Sequence, residues 1–235
     1  SKMTSQPTTH HYTTLTSSSD PRTVISQLMQ LYYTTGWVSG TGGGISIRDN
    51  NTVYIAPSGV HKERVRESDI FEISLDEDCV LKKPEGDNLK ISACKPLFFH
   101  AFRERNAGAV IHSHALSTLL ATMTCIEKNE QNQCHEFHIS QVEMIKGIKG
   151  HGFYDTLVVP VIENTAHEHE LADEMLRVMR LYPKSYAILV KRHGVYIWGD
   201  SWEQCKTHAE CYHYLFEAAV EMRKLGVPLV VEGQD

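Results

Sequence analysis

A short apolar run at residues 109–111 leads directly into two histidines, His112 and His114, which are separated by one serine. In a β-strand, residues i and i+2 lie on the same face, so both imidazoles would point into one space. A third histidine, His193, stands far downstream and is followed by a glycine, which favours a tight turn. A catalytic zinc ion commonly has three protein ligands and one open position. The pattern therefore predicts a strand that ends at a metal-dependent catalytic site.

Other histidine pairs compete with this interpretation, because the chain has 14 histidines. His167 and His169, with Glu168 between them, come just before a stretch with helical periodicity. On a helix, side chains two residues apart do not face each other, so this pair is not expected to chelate a metal. His135 and His138 would meet only on a helix, and their surroundings are not clearly helical. The strand pair is the favoured candidate.

Length and composition indicate one globular domain. The chain has 235 residues, of which 41% are hydrophobic and 22% are charged. This length suits one large domain or two small ones, and we expect a single catalytic domain over residues 20–235. Residues 1–19 are polar, rich in serine and threonine, and without periodicity. They are predicted to form a disordered tail.

Charge, hydropathy and cysteine content argue against several classes of protein. A net charge of −6 disfavours a general nucleic-acid-binding protein, which would usually be basic. No apolar run approaches the roughly 18 residues that a membrane helix needs, so no membrane segment is expected. The N-terminal residues contain no hydrophobic segment, so secretion is not expected. The six cysteines are scattered without a C-x-x-C spacing, which is typical of reduced thiols in a cytoplasmic protein.

Turn and capping signals predict a mixture of helices and strands. Asp20 followed by a proline is typical of a helix start, and Gly36 is expected to end that helix. The turn residues at 49–51 predict a hairpin between strands at 45–47 and 52–56. Further strands are predicted at 70–73, 80–81, 109–114, 156–161, 186–190 and 195–198, and helices at 96–105, 116–123, 166–180 and 202–225. The expected class is α/β or α+β, with helices flanking a central, mainly antiparallel sheet.

A glycine-rich loop is the first candidate for substrate binding. Gly42, Gly43 and Gly44 offer closely spaced backbone N–H groups without side chains, and such loops bind phosphate or other anions. The loop precedes a strand rather than opening a helix, so it is neither a P-loop nor a dinucleotide fingerprint. Ser58 and Gly59 supply a second corner of hydroxyl and amide groups. Each of these signals is weak by itself.

Two further residues have the chemistry of an active site. Cys94 stands at the entrance to a predicted helix, where the helix N-terminus lowers a thiol pKa, although most cysteines are inert packing residues. Glu136 has aromatic and histidine neighbours and is a candidate general acid or base. The chain has 29 acidic residues, and Glu143 is an evident rival.

Five stretches of the chain occur in an order that resembles the class II aldolase/adducin fold family. The resemblance runs from about residue 21 to residue 230 and joins the glycine loop, the Pro-Ser-Gly turn, the His-x-His pair and the late His-Gly. One such match would be unspecific, whereas five in order are highly specific. The matching stretches are 36–46, 54–60, 109–114, 143–148 and 192–199.

The resemblance implies a cofactor, an assembly and roles for individual residues. His112, His114 and His193 would ligate one Zn²⁺ ion per subunit. Cys94 would contact the substrate, and Glu136 would be the catalytic acid/base. The substrate would be a small phosphorylated ketose, with its phosphate anchored by the glycine loop and the Ser-Gly corner, away from the metal. Family members are commonly homotetramers with sites near subunit boundaries, so we expect the same assembly.

One departure from the aldolases of this family bears on the reaction. Aldolases of this fold typically place an acid/base glutamate at the helix entrance, where this chain has Lys95. The resemblance therefore favours a hydro-lyase that dehydrates the ketose phosphate, with Glu136 moving the protons, over aldol cleavage. Two alternatives stay open. One is a class II sugar-phosphate aldolase or epimerase with the same zinc, and the other is a non-catalytic scaffold, as in the adducin branch of the family.

Overall fold

The computed structural model describes residues 20–85 and 88–231, so the tail predicted at residues 1–19 lies outside the described residues. Those ranges contain five α-helices and ten β-strands. The helices are α1 (Pro21–Thr34), α2 (Lys95–Glu104), α3 (Leu116–Thr124), α4 (Ala172–Leu181) and α5 (Trp202–Lys224). The strands are β1 (Gly44–Asp49), β2 (Thr52–Ile55), β3 (Phe71–Ser74), β4 (Val80–Lys82), β5 (Ala109–Ser113), β6 (Ile126–Asn129), β7 (Cys134–Ser140), β8 (Thr156–Ile162), β9 (Ala187–Val190) and β10 (Gly194–Gly199).

The ten strands form one sheet in the order β4-β3-β2-β1-β5-β10-β9-β8-β7-β6. Eight neighbouring pairs are antiparallel, and only β8 and β9 are parallel. Every residue of β5 and β10 is buried, because helices cover both faces at the middle of the sheet. The predicted fold class, a mainly antiparallel sheet flanked by helices, is confirmed.

Local hydrogen bonds explain the start of α1 and the first hairpin. Oδ1 of Asp20 accepts a hydrogen bond from the backbone N–H of Arg22 (3.0 Å), and a proline fills the first helical position. Gly36 has a φ of +78°, the left-handed conformation in which helices commonly end. Asn50, with a φ of +52°, makes the turn between β1 and β2. These predicted boundaries are confirmed.

The two faces of the sheet carry different helices. α1, α3 and α5 pack on one face, and α2 and α4 pack on the other. A hydrophobic core lies on each face: the first core is under α1, α3 and α5, and the second core is under α2 and α4. Along β5, Ala109 and Ile111 belong to the first core and Val110 belongs to the second core. Because side chains alternate along a strand, His112 lies on the face of Val110, toward α2 and α4, and Ser113 faces α5. None of the helices within residues 20–85 and 88–231 has the length and apolar character needed to cross a lipid bilayer.

Two segments differ from the prediction. β6 and β7 form a hairpin where no strand was predicted, because their alternation of histidine, glutamate and lysine hides the apolar period of a strand. Glu136 therefore lies on a strand. The helix predicted at 166–180 is also wrong at its start, since a 3₁₀ turn at Glu168–Leu171 precedes α4. The carboxylate of Glu170 accepts a hydrogen bond from the backbone N–H of His167 (3.4 Å) and caps that turn.

Phe216 on α5 provides a test of this packing. Its side chain is fully buried, and its ring meets the ring of Phe137 on β7 edge-on, with the centroids 5.0 Å apart. Phe216→Ala should lower the free energy of unfolding by about 3–5 kcal/mol, because it leaves a cavity between α5 and the sheet. Chemical denaturation followed by circular dichroism measures this loss. Leu81→Ala, at a largely exposed position on β4, is the control and should cost less than about 0.5 kcal/mol. Equal losses would contradict the packing described for α5.

Candidate active site

The fold brings the three predicted histidines together at one end of the central strands. His112 is the fourth residue of β5, His114 directly follows that strand, and His193 lies in the turn between β9 and β10. Nε2 of His114 lies 2.9 Å from Nε2 of His112 and 3.0 Å from Nε2 of His193. The expectation that these imidazoles share one space is confirmed, and their nitrogens are close enough to hold a metal ion.

The hydrogen-bond partners of Nδ1 in two of these rings indicate that the cluster suits a cation. Nδ1 of His112 lies 3.1 Å from the carbonyl oxygen of Val195, and Nδ1 of His193 lies 3.0 Å from Oδ1 of Asn164. Because an oxygen of either kind only accepts hydrogen bonds, each Nδ1 carries a proton and each neutral ring presents the lone pair of Nε2 to the cluster. A proton on Nε2 of His114 can form a hydrogen bond with only one of these two lone pairs. A metal ion that prefers imidazole nitrogen can bind one nitrogen of each of the three rings.

Burial favours the neutral, metal-binding form of two of the three imidazoles, His114 and His193. Burial and the neighbouring charges of His112 and His193 lower the pKa of His114 to about 3. Burial, followed by the effect of His112, also lowers the pKa of His193. The ring of His112 stacks on the buried ring of Tyr196, with the centroids 4.0 Å apart and the planes at 7°. The lowered pKa values of His114 and His193 favour the neutral form of these two rings near neutral pH.

Glu168 is a residue of this site that the sequence analysis missed. Its Oε1 lies 3.0 Å from Nε2 of His112 and accepts a hydrogen bond from the hydroxyl of Tyr196. Burial alone would raise the pKa of Glu168, but when His112 is protonated its Nε2–H donates to this carboxylate, and this hydrogen bond and charge outweigh burial and hold the pKa of Glu168 well below its ordinary value. The rings of the flanking His167 and His169 do face each other, with their centroids 5.8 Å apart, and the residue between them faces the cluster. A 3₁₀ turn directs it there, and the sequence indicated a helix instead.

Cys94 also lies at the cluster, but its thiol differs from the expectation. It precedes α2 as its N-cap residue, and its Sγ is 3.5 Å from Oε1 of Glu168. Burial, followed by the negative charge of Glu168, raises the pKa of Cys94 to about 12. The expected lowering by the helix N-terminus is therefore wrong, because burial beside a carboxylate outweighs the helix dipole. The neutral thiol can shape the pocket and contact a ligand there.

Lys95 occupies the helix entrance as the sequence indicates, but the inference drawn from it needs correction. Its ammonium group forms an ion pair with Asp78 and lies 5.2 Å from the centre of the Phe99 ring. A carboxylate nevertheless lies at the helix entrance, because Glu168 reaches Cys94 from another segment. The identity of residue 95 alone therefore does not separate dehydration from aldol cleavage.

The glycine loop packs against the histidine strand. A Cβ atom on Gly42 would lie 2.4 Å from Nδ1 of His114, and one on Gly43 would lie 2.8 Å from the carbonyl oxygen of His112. Gly44 pairs with His112 in the ladder between β1 and β5. The loop therefore lies directly beside two of the histidines, and the expectation that it anchors a phosphate away from the metal stays a prediction. The glycines are needed for this close approach, and anion binding by their N–H groups stays a prediction.

The Ser-Gly corner has fewer free donors than its sequence indicates. The backbone N–H of Ser58 already donates to the carbonyl oxygen of Lys90 (2.8 Å). Gly59 has a φ of +69°, which the turn requires. The hydroxyl of Ser58 and the N–H of Gly59 are the groups of this corner that can donate hydrogen bonds to a substrate. Their role as phosphate ligands stays a prediction.

Glu136 does not join the histidine cluster of its own chain. Its Oε1 accepts hydrogen bonds from Nδ2 of Asn129 (2.6 Å) and the hydroxyl of Tyr182, and its Oε2 lies 2.7 Å from Nε2 of His138. β7 is four positions from β5 in the sheet, which at about 4.8 Å per strand is roughly 19 Å. The rival Glu143 is largely exposed and pairs with a lysine, so Glu136 has the more structured surroundings of the two.

Comparisons with known proteins agree with this architecture. A family model described as the class II aldolase and adducin N-terminal domain matches residues 23–220. The chain belongs to this family. The resemblance expected from the sequence is thereby confirmed over most of the chain.

Several curated relatives within the family are similar to the chain. The methylthioribulose-1-phosphate dehydratase of Aquarana catesbeiana is 50% identical, with 88% of this chain and 86% of the relative covered. The dehydratase of the same name from Danio rerio is 49% identical with the same coverage. A probable bifunctional methylthioribulose-1-phosphate dehydratase/enolase-phosphatase E1 from Populus trichocarpa is 46% identical, and 41% of its length is matched.

Two solved structures share the fold. An L-fuculose 1-phosphate aldolase superposes with a TM-score of 0.71 over 93% of both chains, at 20% identity. YgbL of Escherichia coli, described as a putative aldolase/epimerase/decarboxylase, superposes with a TM-score of 0.67 over 90% of this chain and 94% of its own, at 17% identity. At such identities the likeness establishes the fold and not the reaction.

The close approach of the glycine loop gives a test of the metal site. Gly42→Ala should displace the ring of His114 and weaken Zn²⁺ binding on the order of 10- to 100-fold, because the added methyl group overlaps that ring. Competition with a chromophoric chelator measures the affinity. Gly40→Ala is the matched control: it strains a residue of positive φ in the same loop but meets no atom within 4 Å. Equal affinities of the two variants for Zn²⁺ would contradict the described contact.

Proposed function

We propose that this chain dehydrates 5-methylthioribulose 1-phosphate to 5-methylthio-2,3-dioxopentyl phosphate and water, a hydro-lyase reaction of methionine salvage. The observation that carries the proposal is the intact three-histidine cluster in a chain that is 50% identical to a methylthioribulose-1-phosphate dehydratase over 88% of its length. A non-catalytic scaffold has no need of three imidazoles whose lone pairs converge, so the cluster supports an enzyme.

His112, His114 and His193 are the residues that would hold the metal, and we propose Zn²⁺. The donor set supports this choice, because three neutral imidazoles are typical of a catalytic zinc with an open position. When bound, the ion supplies a Lewis acid that stabilises negative charge on the substrate oxygens. Nδ1 hydrogen bonds to Val195 and Asn164 orient two of these ligands.

The chain's own residues would bind the substrate and move its protons. Glu136 takes the proton from C3, and the electron pair of that C–H bond forms the enediolate. The C4–O bond then breaks, and the hydroxyl leaves as water with the proton that Glu136 took from C3. The resulting enol takes up a proton at C4 and loses the proton of its hydroxyl, which gives the 2,3-diketone. The N–H groups at 42–44, with Ser58 and Gly59, would hold the phosphate, and Cys94 would contact the substrate beside the cluster.

The position of Glu136 has a consequence for the assembly. It lies roughly 19 Å from β5 within its own chain, too far for both to act on one small substrate. We therefore propose a homotetramer in which each site combines the histidine cluster of one subunit with Glu136 of the partner subunit. A tetramer also agrees with the expectation that family sites lie near subunit boundaries.

The cysteines and the net charge support a proposal for the compartment and the class of ligand. All six cysteines are free thiols, which agrees with a reducing compartment, and we propose the cytoplasm. The net charge of −6 supports a small-molecule substrate rather than a nucleic acid. Neither a nucleic acid nor a membrane is required by the proposed reaction.

The second candidate function is a sugar-phosphate aldolase or epimerase. The specific observation that favours it is the carboxylate of Glu168 beside Cys94, at the helix entrance where aldolases of this fold place an acid/base glutamate. The same histidine cluster would serve either reaction. The products separate the two functions.

Product analysis tests the proposed reaction directly. Zinc-loaded protein is incubated with 5-methylthioribulose 1-phosphate, and the products are identified by mass spectrometry. A phosphorylated product lighter by one water is expected, because elimination of the C4 hydroxyl leaves the carbon chain intact. Dihydroxyacetone phosphate with an aldehyde would instead establish aldol cleavage, and an isomer of unchanged mass would indicate epimerisation. Protein treated with chelator is the control and should show no turnover.

Mixed tetramers test the position of Glu136. Glu136→Gln and His114→Asn should each abolish turnover in homogeneous tetramers, the first with Zn²⁺ retained, because each removes one half of the site. Random one-to-one tetramers should regain up to about a quarter of the wild-type sites, since one subunit supplies the cluster and its neighbour the carboxylate. Turnover rates and bound zinc are measured for each preparation. Mixed tetramers without activity would reject the shared site, and an active Glu136→Gln variant would reject the role of the carboxylate.

A further inference from the structure

Glu136 is the centre of a built polar network on the α4 side of the sheet. Its side chain is 6% exposed, and three groups donate to it from three different segments. Asn129 comes from the end of β6, His138 from β7, and Tyr182 from the end of α4. A buried carboxylate with so many oriented donors is held in one rotamer, which a proton-transfer group requires.

The two carboxylate oxygens have different surroundings. Oε1 receives both the amide of Asn129 and the hydroxyl of Tyr182, so its lone pairs are engaged. Oε2 meets only the imidazole of His138, whose side chain is 28% exposed. The open side of the carboxyl group is therefore Oε2. Holding Oε1 fixed leaves Oε2 as the oxygen that can take a proton from an external substrate.

Tyr182 is anchored both by the hydrophobic core under α4 and by the hairpin that carries Glu136. Its ring packs against the second core, and its hydroxyl accepts a hydrogen bond from Nδ2 of Asn132 (2.9 Å) and lies 3.0 Å from Sγ of Cys134. Arg177 on α4 donates to the carbonyl oxygen of Asn132 (3.0 Å) and so ties the hairpin to the helix. A rigid helix thus holds the donor in place against a strand.

We propose that Tyr182 is a positioning residue for the reaction: its hydroxyl binds Oε1 of Glu136, fixes the orientation of the carboxylate and turns Oε2 toward the substrate. This inference rests on the proposed function, because it assigns Glu136 the proton transfer. Tyr182 itself touches no reacting atom.

The charges around Glu136 set the direction of its titration. Burial raises the pKa of Glu136, but the hydrogen bonds from Tyr182, His138 and Asn129 together outweigh burial and bring that pKa below its ordinary value. Burial, Cys134 and Glu136 raise the pKa of Tyr182, so its phenol stays a donor throughout the working range. The titratable groups around the carboxylate are Glu127, which pairs with Glu136 across the ladder, and His138 and Tyr182, which bind it. The neighbouring Cys134 feels the charges of Glu136, Arg177 and Glu174.

The test is the pH dependence of kcat/KM for Tyr182→Phe in the zinc-loaded enzyme. Loss of one hydrogen bond to the ionised form raises the pKa of Glu136, so the acid limb of the profile should move to higher pH by on the order of one unit. Tyr186→Phe removes the same hydroxyl from a nearby tyrosine that does not contact Glu136, and it should leave the limb in place. An unmoved acid limb in Tyr182→Phe overturns the proposal.

A double variant separates this proposal from the proposed function. If Tyr182 acts through Glu136, adding Tyr182→Phe to Glu136→Gln should change the residual rate by less than about twofold. An equal loss in both backgrounds overturns the positioning role while Glu136 keeps its own. Near-normal turnover by Glu136→Gln rejects the role of Glu136 and the proposal with it.

A second substitution covers the case in which Tyr182→Phe fails to fold. 3-Fluorotyrosine incorporated at position 182 nearly preserves the shape of the side chain but makes its phenol a stronger donor. The acid limb should then move to lower pH, the opposite direction. An unchanged limb with this residue overturns the proposal as well.

Discussion

The pairing of β5 between β1 and β10 is the constraint on which the rest of the site depends. In that register, His112 lies opposite Gly44 on one side and opposite Tyr196 on the other. The loop that precedes β1 packs against the histidine strand at Gly42 and Gly43, and Tyr196 stacks on the imidazole of His112. A shift of one residue would turn both histidines toward α5 and remove the cluster.

The same strand end is also held from its opposite face. Oγ of Ser113 lies 2.7 Å from Nε2 of His213 on α5, and the ring of His213 stacks on Trp37 at 3.8 Å. The backbone N–H of His114 donates to the carbonyl oxygen of Trp37 (2.8 Å). The histidines at the end of β5 are therefore positioned by packing on both faces of the sheet, which pre-organises the site before any ligand binds.

The structure divides the proposed chemistry into two parts. The cluster, with Glu168 and Cys94, forms at the centre of the sheet, whereas Glu136 and its donors form near one edge. Both parts are polar networks that are at least partly buried. Their separation within one chain is the physical reason why the proposed reaction needs a second subunit, and why a donor on α4 matters to a site it does not touch.

Hydrophobic periodicity and capping chemistry determined most of the fold from the sequence alone, because they act within a few residues. The Asp20 cap, the hairpin and the buried strand with its His-x-His end were all predictable in this way. Tertiary structure alone decided three features. It turned Glu168 toward His112 through a 3₁₀ turn, buried Cys94 beside that carboxylate, and set Glu136 far from the cluster. These depend on contacts between residues distant in sequence, and no local pattern encodes the direction in which such side chains meet.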